Sequence, residues 1–144
     1  MPEIRLTAKI ENLRKMMQFV SDFAKGEGFN QKKIREIELA MEEALLNIIQ
    51  YAYPDDRAGD IEINCRMEAP SRLIIDILDE GKPFDIRSAP EPDLNQDLSE
   101  RKIGGLGIYL ITQIVDEVHY RREGTRNVLT FVLHKKGDAL KILN

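Results

Sequence analysis

The stretch that decides the fold is NQKKIREIELAMEEALLNIIQYAY, from Asn30 to Tyr53. Its apolar residues recur at the three- and four-residue spacing that places side chains on one face of an α-helix. The stripe consists of Ile34, Ile37, Met41, Ala44, Leu45, Ile48 and Ala52. A stripe this broad predicts a helix packed against a core, with Asn30 as its N-cap. We expect the helix to end before Pro54, because the residue preceding a proline disfavours helical backbone.

The other side of this helix carries a narrow polar window. Glu36, Glu43, Asn47 and Gln50 cluster there. Glu43 and Asn47 are one turn apart, so their side chains point the same way. Exposed glutamates are common on helices, and a solvated strip is the simple interpretation. The alternative interpretation is a carboxylate and an amide that face one ligand. The polar window alone does not decide between a solvated strip and a ligand site.

The composition is that of a single globular domain spanning residues 1–144. The chain is 42% hydrophobic and 32% charged, and a domain of this length buries roughly two thirds of its unfolded surface. No run approaches the ~18 apolar residues of a membrane span. The opening MPEIRLTAKI alternates like a strand and lacks the apolar region of a signal peptide. We therefore expect a cytoplasmic protein that makes no membrane contact.

The net charge and the few Cys and His residues argue against several further classes of protein. The net charge of -4 argues against direct nucleic-acid binding. The single Cys65 argues against a disulfide framework, and we expect it to be a small buried hydrophobe in a strand. His119 and His134 stand apart without a second type of ligand, which disfavours a zinc site. Any metal would have to be held by oxygen ligands.

Five strands and two more helices are predicted around the central helix. Alternating apolar residues predict strands at residues 3–10, 61–67 and 73–78, and a final hairpin formed by HYRRE and VLTFVLH. Helical spacing predicts one helix from Leu13 to Ala24 and another that begins in GGLGIYLITQIVDEV. This order predicts an α+β fold, a two-layer α/β sandwich. Three main helices would cover one face of a mostly antiparallel mixed sheet of about five strands.

The segment from about residue 85 to residue 103 has neither helical nor strand periodicity, and it contains Pro90 and Pro92. A structureless loop of this length is uncommon in a compact domain and is usually functional or disordered. We interpret it as a lid over a ligand. Residues 135–144 form a short C-terminal tail.

Three motifs carry candidate chemistry, and the first is DEGKPFD, which contains Asp79, Gly81 and Phe84. An Asp followed by Gly at a strand end is most often a simple turn. The functional interpretation is a partly buried carboxylate that accepts a hydrogen bond from an exocyclic amine, beside a glycine that lets the backbone approach a ring. Adenine offers an amine there and guanine a carbonyl, so such an Asp would discriminate between them.

The second motif is GGLGIYLI, in which glycines open the last predicted helix. The bare N–H groups at the positive end of a helix dipole suit phosphate. A hinge for the lid is equally consistent, and the two interpretations are compatible. The segment lacks the GxxxxGK[ST] of a P-loop and does not follow a strand as a Rossmann glycine motif would, so both common nucleotide folds are disfavoured.

The polar window of the central helix is the third motif. An amide oxygen such as that of Asn47 can complete the shell of a Mg²⁺ ion held mainly by nucleotide phosphates and waters. A carboxylate one turn away, on Glu43, could accept the proton of an attacking hydroxyl or water. Neither role stands without a nucleotide to face.

In this order the three motifs resemble those of the GHKL superfamily, which has the Bergerat ATP-binding fold. The pattern is E-x-x-x-N on a helix, D-x-G-x-x-F after a hairpin strand, a long lid and then G-G-L-G-I-x-L-I. Within the superfamily the chain is similar to the short, single-domain anti-sigma-factor serine/threonine kinases, because NIIQYAYP, DEGKPFD, LSERKIGGLGIYLI and NVLTFVL match in order. The resemblance covers essentially the whole chain.

The resemblance implies a protein kinase that uses ATP and Mg²⁺. It makes Glu43 the catalytic base, Asn47 the magnesium ligand and Asp79 the residue that reads the adenine amine. The nucleotide-binding residues it implies are Asn47, Asp79, Gly81, Phe84, Gly105, Leu106, Gly107 and Thr130. Thr130 joins the adenine end by analogy alone.

Three other positions bear on the resemblance. Arg101 and Lys102, at the end of the lid, are either phosphate contacts or an ordinary solvated pair. Tyr51 is a departure, because the family often has His at that place. This departure puts in doubt only the contacts near the end of the central helix.

The resemblance also implies partners. These are a STAS-type anti-sigma-factor antagonist protein that is phosphorylated, a sigma factor or similar regulator that is sequestered, and a second copy of the chain in a homodimer. Two other interpretations stay open: a partner-binding switch of the same fold that responds to ATP and ADP without phosphoryl transfer, and an α+β domain without a ligand. The catalytic half of a histidine kinase is disfavoured, because these residues include no phosphoacceptor helix.

Overall fold

Five strands and three helices make up the protein in a computed structural model, which describes residues 2–53, 59–88 and 107–135. The strands are β1 (Glu3–Thr7), β2 (Asp60–Glu68), β3 (Arg72–Asp79), β4 (Glu117–Glu123) and β5 (Arg126–His134), and the helices are α1 (Leu13–Gly26), α2 (Gln31–Asn47) and α3 (Gly107–Ile114). A π-helical turn, Ile48–Ala52, continues α2, and 3-10 turns lie at Ile10–Asn12 and Ile86–Ser88.

The strands form one sheet in the order β1-β2-β3-β5-β4. All four pairs between the described strands are antiparallel, so the parallel pair of a mixed sheet does not occur among them. The predicted α+β class, helix number and strand number are confirmed. One register position matters for the site: Asp79, the last residue of β3, lies opposite Asn127 of β5.

The core lies between the helices and one face of the sheet. Alternate residues of each strand point toward it, as the pleat requires. From the central strands these are Ile61, Ile63, Cys65, Leu73, Ile75, Ile77, Leu129, Phe131 and Leu133. Cys65 is fully buried, as predicted, and burial raises the pKa of its thiol to about 12. The predicted stripe of α2 packs on this face through residues such as Ile37, Met41 and Leu45.

Helix α2 begins as predicted and ends in a different geometry. The Asn30 side chain accepts a hydrogen bond from the backbone N–H of Lys33 at 2.8 Å, which is the N-cap contact. The α-helix stops at Asn47, and the π-helical turn carries the chain to Ala52. Because the last carbonyls of a helix lack partners inside it, the Ala52 oxygen is free to accept a hydrogen bond from Lys82 N at 3.0 Å. This bond ties the helix end to the loop after β3.

Two boundaries differ from the sequence prediction. The first strand ends at Thr7 instead of residue 10, because Asn12 donates its side-chain amide to the Thr7 carbonyl and the chain turns there. Ile10, predicted to face the core, is therefore 62% exposed. The predicted lid starts with a 3-10 turn whose Ile86 is buried in the core. The rest of that segment and most of the C-terminal tail lie outside the described residues.

No helix in the described part of the chain is long and apolar enough to cross a membrane.

Candidate functional site

Glu43 and Asn47 lie one turn apart near the end of α2, and the backbone joins them. The Asn47 Nδ2 donates a hydrogen bond to the Glu43 carbonyl oxygen at 2.7 Å, and Asn47 is only 6% exposed. The amide nitrogen is held in this way, and the amide oxygen, Oδ1, is the remaining polar atom of the side chain. Oδ1 accepts no hydrogen bond from the described residues. The sequence prediction that these two side chains share a window is consistent with this placement.

The Glu43 carboxylate is poorly solvated. Its Oε2 is buried and has no hydrogen-bond partner among the described residues. Burial raises the pKa of Glu43 above its ordinary value, and the neighbouring charge of Glu42 raises it further. A buried acceptor without a partner costs about 1–3 kcal/mol. A carboxyl group with a raised pKa is a candidate for chemistry, because perturbed acids cluster at functional sites.

Gly107, the first residue of α3, packs directly on this pair. A Cβ at Gly107 would lie 2.9 Å from Glu43 Oε2 and 3.0 Å from Asn47 Nδ2. Only a glycine therefore fits here without moving one of the two side chains. The first turn of α3 has N–H groups without intrahelical partners, at the positive end of the helix dipole. The structure thus brings the second and third predicted motifs together, at a place that suits an anion.

Asp79 lies at the end of β3 and is 4% exposed. Its Oδ1 accepts hydrogen bonds from Gly81 N at 2.9 Å and from Asn127 Nδ2 at 2.8 Å. Its Oδ2 accepts none from the described residues. Burial raises the pKa of Asp79, while these two hydrogen bonds and the charge of Arg122 oppose that rise. The result is a buried carboxylate with one saturated oxygen and one available acceptor.

The loop after Asp79 is pressed against the end of α2. A Cβ at Gly81 would overlap the Ala52 carbonyl oxygen, so a residue with a side chain would force the two backbones apart. Two positions further on, the Phe84 ring stacks on the Tyr51 ring, with centroids 5.5 Å apart. Tyr51 is the position that departs from the motif described above. It thus forms an aromatic pair with a residue of the DEGKPFD motif.

Asn47 and the residues around Asp79 line one small cavity. Its walls include Asn47, Asp79, Phe84, Ile86, Tyr120 and Asn127. Since Asn47 and Asp79 line the same cavity, the polar window of α2 and the DEGKPFD motif lie side by side.

Comparisons with known proteins show the family of this chain. Residues 6–133 match the family model of the histidine kinase-like ATPase domain. The serine-protein kinase RsbW of Bacillus licheniformis is 32% identical over 124 residues, which cover 81% of this chain and 74% of that protein. The chain belongs to the RsbW serine-protein kinases, within the histidine kinase-like ATPases. The serine-protein kinase RsbW of Listeria monocytogenes is 28% identical over 138 residues, covering 92% of this chain and 87% of that protein.

The fold of this kinase is similar to that of a solved structure. The RsbU and RsbW domains of Rv1364c from Mycobacterium tuberculosis superpose with a TM-score of 0.64 at 14% sequence identity. The match covers 93% of this chain and 32% of the longer Mycobacterium chain. At this identity the likeness shows the fold alone.

Asn127 was not among the residues predicted from the sequence, yet in the kinase it lies beside Asp79, at the adenine end of the predicted site. Asn127 Nδ2 donates to Asp79 and, at 2.9 Å, to the Lys82 carbonyl. Its Oδ1 accepts hydrogen bonds from Tyr120 OH and from Arg122 Nη1. One signal was available: Asn127 is the single polar residue on the inward-facing positions of β5, which are otherwise Leu129, Phe131 and Leu133.

Thr130, which the resemblance suggested for the adenine end, lies elsewhere. Its Oγ1 donates a hydrogen bond to Asp76 Oδ1 at 2.6 Å, and Asp76 also pairs with Arg66 at 2.8 Å. Thr130 is three positions from Asn127, so the alternation of a strand turns its side chain to the opposite face of the sheet. The analogy therefore assigned the wrong position of β5 to this end of the site.

The remaining predicted residues fall into two groups. Gly81 and Phe84 lie beside Asp79, and Gly107 lies against Glu43 and Asn47. Their roles in nucleotide binding stay predictions. Gly105, Leu106, Arg101 and Lys102 lie outside the described residues. Within the described ranges no three His, Cys, Asp or Glu side chains cluster as metal ligands.

Proposed function

We propose that this kinase binds Mg-ATP at the site formed by Asp79 at the end of β3, Asn47 of α2 and the start of α3, and transfers the γ-phosphoryl group to a serine or threonine of a STAS-type anti-sigma-factor antagonist protein. The observation that carries the proposal is the buried, unpartnered Oε2 of Glu43, which lies beside the Asn47 amide and against the first residue of α3. A base, a hard oxygen ligand and an anion-binding helix start are together the parts that phosphoryl transfer needs.

Asn47 fits a magnesium ion. Its Nδ2 is engaged with the Glu43 carbonyl, which leaves Oδ1 as a hard oxygen donor without a partner among the described residues. Mg²⁺ in ATP-dependent enzymes is bound by one or two protein oxygens, by phosphates and by waters. When bound there, the ion would neutralise charge on the phosphates. The expected cofactors are accordingly ATP and Mg²⁺.

Glu43 would act as the general base in the transfer. The hydroxyl oxygen of the target serine or threonine forms a bond to the γ-phosphorus, and the bond from that phosphorus to the bridging oxygen of ADP breaks. The hydroxyl proton goes to the Glu43 carboxylate. Burial raises the pKa of this carboxyl, which makes it a better proton acceptor than an exposed glutamate. A positioned base contributes on the order of 10²- to 10⁴-fold to the rate.

The test compares Glu43→Gln with Glu36→Gln, a matched change two turns earlier on the same side of α2. The assay measures transfer of labelled γ-phosphate to a co-encoded antagonist protein, and nucleotide binding is measured in parallel. We expect Glu43→Gln to keep nucleotide binding and to lose transfer by about 10²-fold or more, while Glu36→Gln keeps both. Equal transfer by Glu43→Gln and the parent would overturn the base assignment.

The same assay separates the kinase from a nucleotide-dependent switch. If no antagonist protein accepts phosphate, yet partner affinity differs between ATP and ADP, the chain acts through binding alone. We further propose that the kinase sequesters a sigma factor or a similar regulator and that it works as a cytoplasmic homodimer. Both proposals rest on the family, and light scattering with and without partners would test them.

A further inference from the structure

Asn127 cannot reverse its side-chain amide, because of the donors that face its oxygen. Oδ1 receives Tyr120 OH at 2.5 Å, Arg122 Nη1 at 3.1 Å and the backbone N–H of Phe84 at 3.4 Å. A guanidinium and a backbone N–H can only donate. Asn127 is 2% exposed, so a reversed amide would set buried donors against donors. The NH₂ group must therefore face Asp79 and the Lys82 carbonyl.

This fixed amide determines what Asp79 can offer to a ligand. Asp79 Oδ1 accepts from Asn127 Nδ2 and from Gly81 N, and both of these groups always carry their hydrogens. Oδ1 therefore cannot carry a proton of its own. Any proton on Asp79 must reside on Oδ2, the oxygen without a partner among the described residues. Oδ2 accepts a hydrogen bond when Asp79 is ionised, and it donates one when Asp79 is protonated.

We propose that Asn127 is the positioning residue that sets base specificity: by donating to Oδ1 it keeps Asp79 in the acceptor-only form, which pairs with a 6-amino purine and rejects a 6-oxo purine. The inference rests on the proposed nucleotide site. It goes beyond that function by naming the residue that selects the base and the proton on which the selection depends.

The groups around Asp79 support this dependence. The titratable and charged side chains that face it or flank it are Arg122 and Tyr120 from β4, Tyr53 from the end of α2, and Glu80 and Lys82 from its own loop. Burial raises the pKa of Asp79, and the Asn127 hydrogen bond is the largest effect that opposes it, followed by Gly81 N and the Arg122 charge. Without the amide, Asp79 would keep its proton to a higher pH. Oδ2 would then present a donor to the ligand.

The test measures the binding of ATP and of inosine triphosphate between pH 5 and pH 8. Inosine triphosphate has a 6-oxo group where ATP has the 6-amino group, and its N1 carries a hydrogen. The ratio of the two affinities therefore reports on the contacts at this edge of the base, and the change of that ratio with pH and in the variants isolates the part that depends on Asp79. The intact protein should prefer ATP by about 100-fold or more at neutral pH, because the wrong base leaves buried polar groups unpaired. The preference should fall as the pH decreases and Asp79 takes up its proton.

Asn127→Leu removes the amide at similar size. We expect its ATP preference at neutral pH to fall about tenfold or more, and the midpoint of the pH dependence to move upward. Arg122→Met, at an exposed position, is a second variant that removes one of the donors fixing the amide and the nearby positive charge. It should move the midpoint in the same direction by a smaller amount, even if Asn127→Leu does not fold. Thr130→Val, on the same strand and facing away from the cavity, is the matched control.

Two outcomes would overturn the inference in different ways. If the intact protein prefers ATP but the variants leave both the affinity ratio and its pH midpoint unchanged, Asn127 has only a structural role. A purely structural role would weaken both nucleotides equally. If the intact protein binds neither nucleotide, the proposed function fails together with this inference.

Discussion

Gly107 lies so close to Glu43 that a Cβ on the glycine would be 2.9 Å from the Glu43 Oε2 atom. The two residues belong to different motifs, one on α2 and the other at the first turn of α3. At this contact Glu43, the proposed general base, lies against the first turn of α3, the proposed binding site for phosphate. The absence of a side chain at residue 107 is therefore part of the site.

Gly107→Ala should impair transfer far more than folding. The atoms that a methyl group would meet are the ends of the Glu43 and Asn47 side chains, which can move without a backbone shift. We expect the melting temperature to change by only about 2 °C, and phosphoryl transfer to fall on the order of 10²-fold, because a base that is 1 Å out of place loses that much. Thermal denaturation and the transfer assay measure the two effects. A variant with full activity would separate Gly107 from the site.

Glu43→Gln should stabilise the protein in the absence of nucleotide. The folded-state pKa of Glu43 is raised by burial, so the ionised carboxylate is a net cost above that pKa. The cost disappears as the pH falls and the folded protein takes up the proton. At pH 7 the variant should gain on the order of 0.5 kcal/mol, because the carboxylate is only partly buried and water reduces the cost of its charge. This corresponds to a rise of about 1–2 °C in melting temperature.

Thermal denaturation at pH 7 and at pH 4 measures this difference. The gain should be absent at pH 4, below the ordinary Glu pKa of 4.5. Glu36→Gln is the control and should change the melting temperature little at either pH. A loss of stability at pH 7 in Glu43→Gln would mean that the carboxylate has a stabilising partner.

Cys65 should make stability depend on alkaline pH. Burial raises the pKa of its thiol to about 12 from an ordinary value of 9.0, and the charge of Asp76 adds to the rise. Above pH 9 the unfolded chain releases the thiol proton and the folded chain keeps it, so the free energy of unfolding falls as the pH rises. Between pH 9 and pH 10 the loss should be about 1 kcal/mol.

Urea denaturation at these two pH values checks this prediction when Cys65→Ala is measured beside the parent. The alanine variant is less stable throughout, because it leaves a small cavity. It should nevertheless lack the part of the pH dependence that belongs to the thiol. Identical slopes in both proteins would show that Cys65 is not the group responsible.

The sequence carried enough information for the local elements. Residues such as Asn30 and the apolar stripe of α2 act through neighbours three or four positions away, so their pattern predicts the helix start and its buried face. Ile10 shows the limit of pattern alone. It continues the alternation of β1, but the Asn12 side chain binds the Thr7 carbonyl and turns the chain before Ile10 can reach the core.

The composition of the site depended on contacts between distant segments. Alternation tells which face of a strand a residue occupies, but it does not give the register between β3 and β5. The register places Asn127, and not Thr130, beside Asp79. In the same way, no local pattern predicts that Gly107 touches Glu43, because that contact depends on how α3 packs against α2.

Thr130→Val tests this assignment of the two faces. The hydroxyl of Thr130 donates to Asp76 at 2.6 Å on the face away from the cavity, and valine keeps the shape without the hydrogen bond. We expect a loss of about 1–2 kcal/mol in the free energy of unfolding, because the acceptor is a carboxylate, with ATP affinity unchanged. Asp79→Asn, on the cavity side, should do the reverse and abolish most ATP binding while the protein stays folded. Urea denaturation and calorimetric titration with Mg-ATP distinguish the two variants, and a Thr130→Val protein with weakened ATP binding and full stability would return Thr130 to the site.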